Sequence, residues 1–258
     1  MNIFQNLYNY REMINNLVHR DLRGRYKGSF LGFLWTFINP LLQLAVYTMV
    51  FSVILRAGID KYYLFLFVAL IPWMFFSTCL VGGTTVIFNE KNLVTKIYFP
   101  REVLPVSFAT SNFINMIYCF IVVLVVVLIS GYNLNLIAWL YLPIVMIVEY
   151  IMGLGVTLLL SAVTVYFRDM QHIMGIIAMA WQFLTPVMYS NDMVPKKFLP
   201  LFMMNPMTSV IMAYRDILYY GKIPDLSTLL IAILFGVVIL AIGYFVFNKL
   251  QRGFAEEL

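Results

Sequence analysis

The chain has 258 residues, of which 62% are hydrophobic and 11% charged, with a formal net charge of +5. Soluble domains carry about 25% charged residues, so most of this surface cannot face water, and a soluble globular class is excluded. The basic excess does not point to nucleic acid, because Lys and Arg crowd beside long apolar runs, as membrane topology demands.

In chain order, apolar residues first recur at Phe4, Leu7, Tyr8, Ile14, Leu17, Val18 and Leu22, with Asn6, Asn9, Glu12, Asn16, Arg20 and Arg23 on much of the other side. That spacing predicts an amphipathic helix over residues 3–22 lying in the membrane interface. Its polar face is either a lipid anchor or a docking surface for a partner protein. Four cations follow closely (Arg20, Arg23, Arg25 and Lys27), and no further charge occurs until Arg56. Gly24 and Gly28 loosen the chain, which turns inward near Ser29.

Six apolar runs come next: Leu31–Leu55, Tyr63–Ile87, Val103–Ser130, Leu140–Tyr166, His172–Met188 and Leu226–Phe247. A helix crosses the ~30 Å hydrocarbon core with about 20 residues, and continuous apolar runs do not fit barrel strands, which alternate. The expected fold is all-α and membrane-embedded, with six spans. Residues 1–30 form the interface segment, 31–248 the spans and 249–258 a short tail. With both termini cytoplasmic, the inner segments hold eleven Lys and Arg and the outer segments six, which favours that orientation.

The stretch Phe88–Pro105 between the second and third runs is mixed in charge, and Glu90–Ile97 has room for about two helical turns along the membrane. In the fourth run Glu149 sits at ~14 Å from Leu140, counting ~1.5 Å per residue. An ionisable group at that depth binds substrate, relays protons or pairs with a neighbour. Gly153 and Gly155 beside it permit close helix packing. Between Tyr189 and Pro224, Asn205 reads as an N-cap, Pro206 as a first helical residue and Gly221 as a stop. A shorter helix precedes them, so two short helices dip back into the outer leaflet, either as a gate or as a cap over the last two spans.

Cys79 and Cys119 fall inside spans without metal spacing. No G-x-x-x-x-G-K-[ST], G-x-G-x-x-G or H-E-x-x-H occurs, and the only histidines are His19 and His172. The chain is therefore expected to bind no nucleotide, cofactor or metal of its own. A pore, a carrier or the membrane half of a machine powered from elsewhere remains. A self-contained secondary carrier calls for an inverted repeat, and none is detectable.

The stretches "RYKGSFLGFLWTFINPLLQLAVYTMVF", "KIYFPREVLP", "YFRDMQHI", "LTPVMYS" and "NPMTSVIMAYRDILYYG" occur in the order and spacing of polysaccharide-export permeases. The chain resembles these membrane subunits of ATP-binding-cassette transporters, which move O-antigen, capsular polysaccharide, teichoic acid or rhamnose-rich glycans, over nearly its whole length. The resemblance implies a homodimer in the bacterial inner or plasma membrane and a separate cytoplasmic ATPase carrying ATP and Mg2+. It also implies a glycan delivered on a polyprenyl diphosphate lipid. On that view Phe88–Pro105 is a coupling loop, with Glu90, Lys91 and Arg101 at the ATPase contact and Arg168 and Asp169 as a second contact. Tyr189, Asn205, Pro206 and Arg215 belong to the outer gate. An ATP-driven drug or lipid exporter is the alternative cargo assignment.

In such a channel the first span offers Phe33, Phe37, Tyr47 and Phe51 within roughly 80° of one another and over about 27 Å of helix. Sugar C–H faces pack on aromatic rings, so this stripe is a candidate glycan ladder, with Trp181 a further wall residue. The competing assignment is that these rings pack in the core or face lipid.

Overall fold

The computed structural model describes residues 3–25, 27–56, 58–131 and 135–258. Every regular element among them is a helix. Helix α1 (Ile3–Asn9) and α2 (Arg11–Gly24) form the N-terminal segment. The chain bends at Tyr10, but the backbone bonds run on through the bend, from Tyr10 N to Asn6 O and from Ile14 N to Tyr10 O, each 3.0 Å. Helix α3 (Trp35–Thr48) continues into a π-helical turn, Met49–Ile54. Helix α4 (Tyr62–Gly82) runs through a 3-10 turn into α5 (Val86–Asn89) and then α6 (Lys91–Lys96). After these come α7 (Val103–Ile129), α8 (Leu136–Trp139), α9 (Leu142–Tyr166), α10 (Met170–Leu184), α11 (Leu199–Met203), α12 (Pro206–Leu218), α13 (Leu226–Leu250) and α14 (Phe254–Glu257).

Five stretches among the described residues are long and apolar enough to cross a membrane: Gly32–Ile54, Tyr62–Asn89, Val103–Ile129, Leu136–Tyr166 and Leu226–Gly253. The remaining expected span, His172–Met188, is represented by α10, whose 15 residues reach about 22 Å at ~1.5 Å per residue. It stops four residues earlier than the apolar run because Thr185 precedes Pro186. A residue before proline is pushed out of the helical region, and Thr185 is extended at φ −109° and ψ 135°.

Helix α4 is the centre of the bundle. Leu64, Phe65, Leu66, Phe67, Val68, Ala69 and Leu70 are each at most 1% exposed, so this stretch of the helix is enclosed on all sides and shows no polar face. Within hydrocarbon, apolar burial is no driving force, and small residues and polar links set helix approach. Helices α9 and α13 show this most clearly. A Cβ on Gly243 would stand 2.2 Å from the Gly155 carbonyl oxygen, and one on Gly155 would stand 2.6 Å from Leu240 N. The two backbones therefore touch, as the glycines of the fourth run led us to expect.

A second apolar cluster sits at one end, here called the base. It joins Leu17 of α2, Val86 and Ile87 of α5, Val94 of α6, Val103 and Leu104 of α7, Leu158 of α9, and Phe247 and Phe254 near the C-terminus. Both ends of the chain thus lie at the base. Helices α8, α11 and α12 lie toward the opposite end, here called the top.

Candidate functional site

At the base, Glu90 joins α5 to α6 and its carboxylate accepts from the Arg20 guanidinium of α2. Val94 turns inward while Lys91, Asn92, Thr95 and Lys96 face out, so the two-turn helix presents one polar face away from the bundle. Its exit is apolar: Ile97 is 54% and Tyr98 98% exposed. Arg168, between α9 and α10, places its guanidinium 5.5 Å from the Phe88 ring of α5 and donates to Glu257 O at 3.4 Å. Asp169 and Phe167 beside it are exposed. Glu90, Lys91, Arg168 and Asp169 therefore share one end of the molecule. Arg101 points elsewhere, donating to Gln251 O and lying 5.8 Å from the Phe254 ring. With Glu102, which accepts from Gln251 Nε2 at 2.9 Å, it pins the tail to α7. Ile97, Tyr98 and Phe167 were not singled out from the sequence, although apolar residues inside short charged loops were the available signal.

Helix α2 is tied down further along. Arg25 donates to Asp21 Oδ2 at 2.7 Å and to Asn112 Oδ1 at 2.9 Å, and Ser111 Oγ also donates to Asp21. These links run from α2 to the first half of α7, next to the start of α3.

At the top, Asn205 caps α12 and knits it to α10. Its Oδ1 accepts from Met207 N at 3.1 Å and from Trp181 Nε1 at 3.0 Å. Its Nδ2 donates to Thr185 Oγ1 at 2.8 Å and to Leu184 O at 3.2 Å. Pro206 opens the helix at its first position, where a missing N–H costs nothing. Arg215 is 4% exposed. Its guanidinium donates to Val187 O at 2.7 Å, Tyr189 O at 3.3 Å and Phe65 O at 3.4 Å, and it lies 3.5 Å from the Phe65 ring centroid. Tyr189 in turn donates to Phe183 O at 2.7 Å. The four expected gate residues thus form one joint between α4, α10 and α12. Trp181 belongs to it as well, its indole engaged by Asn205 and its ring edge-on to Phe76 at 5.3 Å. Below them, Glu149 of α9 is fully buried and accepts from the Tyr214 hydroxyl at 2.6 Å. At the helix end Lys222 pairs with Asp216 at 3.1 Å. Burial pushes the Asp216 carboxyl up from its ordinary value and Lys222 pulls it back, while the same hydrogen bond raises the Lys222 ammonium.

The aromatic stripe of α3 faces its own bundle. Phe33 packs edge-on against Phe37 at 5.4 Å and against Tyr118 of α7 at 5.5 Å, and Phe51 stacks on Tyr62 at 6.3 Å. Tyr47 and Phe51 lie partly buried against the central core. The other side of α3 exposes Leu42, Val46, Met49 and Val53, with the polar Asn39 and Gln43 exposed along its edge, Asn39 also lining a cleft with Met74 of α4 and Asn112 of α7. Pro40 lacks the N–H that would bond Thr36 O, and the Cys119 thiol donates to that carbonyl instead, at 3.4 Å.

Compared with known proteins, residues 13–219 match the family described as ABC-2 type transporter. The chain belongs to that family. It is 36% identical to the O-antigen export system permease protein RfbA of Myxococcus xanthus, over 99% of each chain. It is 31% identical to an RfbA protein of Klebsiella pneumoniae, over 94% of this chain and 93% of that one. With the polysialic acid transport protein KpsM of Escherichia coli the identity is 24%, over 89% of this chain and 90% of the relative. The protein is thus a multi-pass membrane permease, a transporter subunit and not an enzyme.

Proposed function

We propose that this permease forms, as a homodimer, the channel of an ATP-driven exporter that moves a polyprenyl-diphosphate-linked polysaccharide out of the cytoplasm. The observation that carries the proposal is the end-to-end similarity to O-antigen export permeases, 36% identity over 99% of both chains in one case. ATP and Mg2+ belong to a separate ATPase, which docks on the exposed basal surface around Lys91, Tyr98, Arg168 and Asp169. The apolar side chains displayed there, in a loop otherwise polar, support a protein contact.

Parity supports six crossings. Leu17 and Phe254 share the basal cluster, so the chain crosses an even number of times. Five long helices leave one crossing to find, and α10 supplies it. The roughly 8 Å that it falls short of the hydrocarbon core is left to the chain after it, which turns at Thr185–Val187 before reaching Tyr189. The base then faces the cytoplasm, consistent with its excess of Lys and Arg. Helices α11 and α12 form the outer gate, re-entering the leaflet from the top. Span α3 of each copy, with α10, lines the channel, and the outward Asn39 and Gln43 are suited to sugar hydroxyls.

The test is deletion of the gene in its native bacterium. The expected outcome is loss of surface polysaccharide and accumulation of lipid-linked glycan inside the cell, both restored by the intact gene. Unchanged surface glycan, with a defect in export of a drug or another lipid instead, overturns the proposal.

A further inference from the structure

The cations from His19 to Lys27, at the end of α2, fall into two groups. Arg20 is paired with Glu90, and Arg25, just past the helix, with Asp21. His19, Arg23 and Lys27 are different: all three are exposed, and among the described residues none of their side chains has an acidic or hydrogen-bonding partner. They follow at four-residue intervals, which brings basic groups onto one side of a helix and its exit. Arg23 in the last turn of α2 suits the helix dipole, but like charges at that spacing repel and weaken a helix, so helix stability alone does not account for all three.

These three residues line one wall of a cleft of about 600 Å3, whose other wall is formed by Phe33, at the start of the first span, and Tyr118 of α7. The two rings meet edge-on at 5.5 Å. Phe33 is 50% exposed, and the neighbouring Phe30 is fully so. Cations on the aqueous rim and aromatic rings on the apolar side match an amphiphile with an anionic head. The site stands where α2 lies along the base and the uncharged first span begins, which is headgroup depth.

We propose that this cleft binds the phosphate of a lipid in the leaflet at the base. The Arg23 guanidinium offers a fork of donors matched to phosphate oxygens, the Lys27 ammonium a point charge and the His19 imidazole a further N–H. The lipid chain runs along Phe33 and Tyr118. Two lipids present this chemistry: the diphosphate carrier of a glycan and an anionic phospholipid of the bilayer. The site itself does not depend on the exporter assignment, which bears only on which of the two is the physiological occupant.

The experiment uses the purified full-length chain in phosphatidylcholine nanodiscs. Farnesyl diphosphate and phosphatidylglycerol are titrated separately, and bound lipid is counted by native mass spectrometry. Arg23→Gln/Lys27→Gln is compared with the wild type and with Lys196→Gln/Lys197→Gln, a loss of two charges between α10 and α11. Thermal melting confirms that each variant is folded. Two charge-assisted contacts are removed, so the first variant is expected to bind at least one lipid roughly tenfold more weakly or worse, while the second matches the wild type. Loss confined to farnesyl diphosphate identifies a carrier lipid, loss confined to phosphatidylglycerol a bilayer lipid, and loss of both a site shared between them. If Arg23→Gln/Lys27→Gln binds both lipids as the wild type does, the site is wrong. If inorganic diphosphate binds as tightly as the farnesyl form, the phosphate need not be lipid-borne and the proposal fails. Because binding is read without transport, either result is separate from the gene-deletion outcome.

Discussion

Tyr214 of α12 donates to Glu149 of α9 at 2.6 Å across 65 positions of sequence, and this bond anchors a short helix at the top to the middle of a span. Glu149 Oε1 has no partner among the described residues, and the Tyr214 ring stacks on Phe120 at 5.2 Å. Of the roles open to an ionisable group at membrane depth, the geometry favours pairing. An amide oxygen accepts the same bond, so Glu149→Gln is expected to keep both melting temperature and export. Glu149→Ala leaves the buried hydroxyl unpartnered and is expected to cost about 1–3 kcal/mol, seen as reduced abundance and earlier melting. A well-folded Glu149→Gln permease that exports nothing would show that the carboxylate charge is required.

Arg215 is expected to be more sensitive to substitution than its lack of a carboxylate partner among the described residues suggests. Its fork satisfies three carbonyls at once, which the single ammonium of lysine cannot reproduce. Arg215→Lys and Arg215→Ala should both lower stability, by about 2–3 kcal/mol for Ala, measured by thermal unfolding in detergent. A normal melt for Arg215→Ala would mean that the joint is not needed to hold α12 in place.

The basal loop residues divide by what they touch. Lys91 and Tyr98 face outward, so Lys91→Ala/Tyr98→Ala is expected to reduce co-purification of the ATPase while the abundance of the permease stays constant. Arg101 holds the tail, so Arg101→Ala is expected to lower abundance first. If the outward pair leaves both co-purification and ATP-coupled export unchanged, the ATPase does not dock there.

On α3 the two faces give opposite expectations. Tyr47→Ala/Phe51→Ala removes rings that pack on the chain's own bundle, so reduced export is expected to follow reduced abundance. Asn39→Leu/Gln43→Leu alters outward polar groups, and export is expected to fall several-fold with abundance intact. Should the aromatic pair lose export at full abundance, the stripe itself contacts the glycan.

Much of this architecture is legible in the sequence, and the misses have physical reasons. The third apolar run was expected as Val103–Ser130, and α7 runs Val103–Ile129. Asn205 and Pro206 begin α12 as cap and first residue, because capping is a local property of a few adjacent residues. The orientation of α3 was not legible. A span with few polar residues has little amphipathic signal, so periodicity collects its aromatic residues into a stripe without saying which neighbour that stripe meets. The partner of Glu149 was hidden for another reason: Tyr214 lies on a different element, and no local rule links them. The thiol of Cys119 standing in for the missing Pro40 N–H is long-range in the same sense.

The most direct measurement of the account is ATP-dependent glycan translocation in inverted membrane vesicles. Lipid-linked polysaccharide is added outside, and the fraction protected from an endoglycosidase is followed over time. The account predicts protection only when permease, ATPase and ATP are all present, and none when either subunit is omitted. Protection that develops without ATP, or with the permease removed, would contradict it.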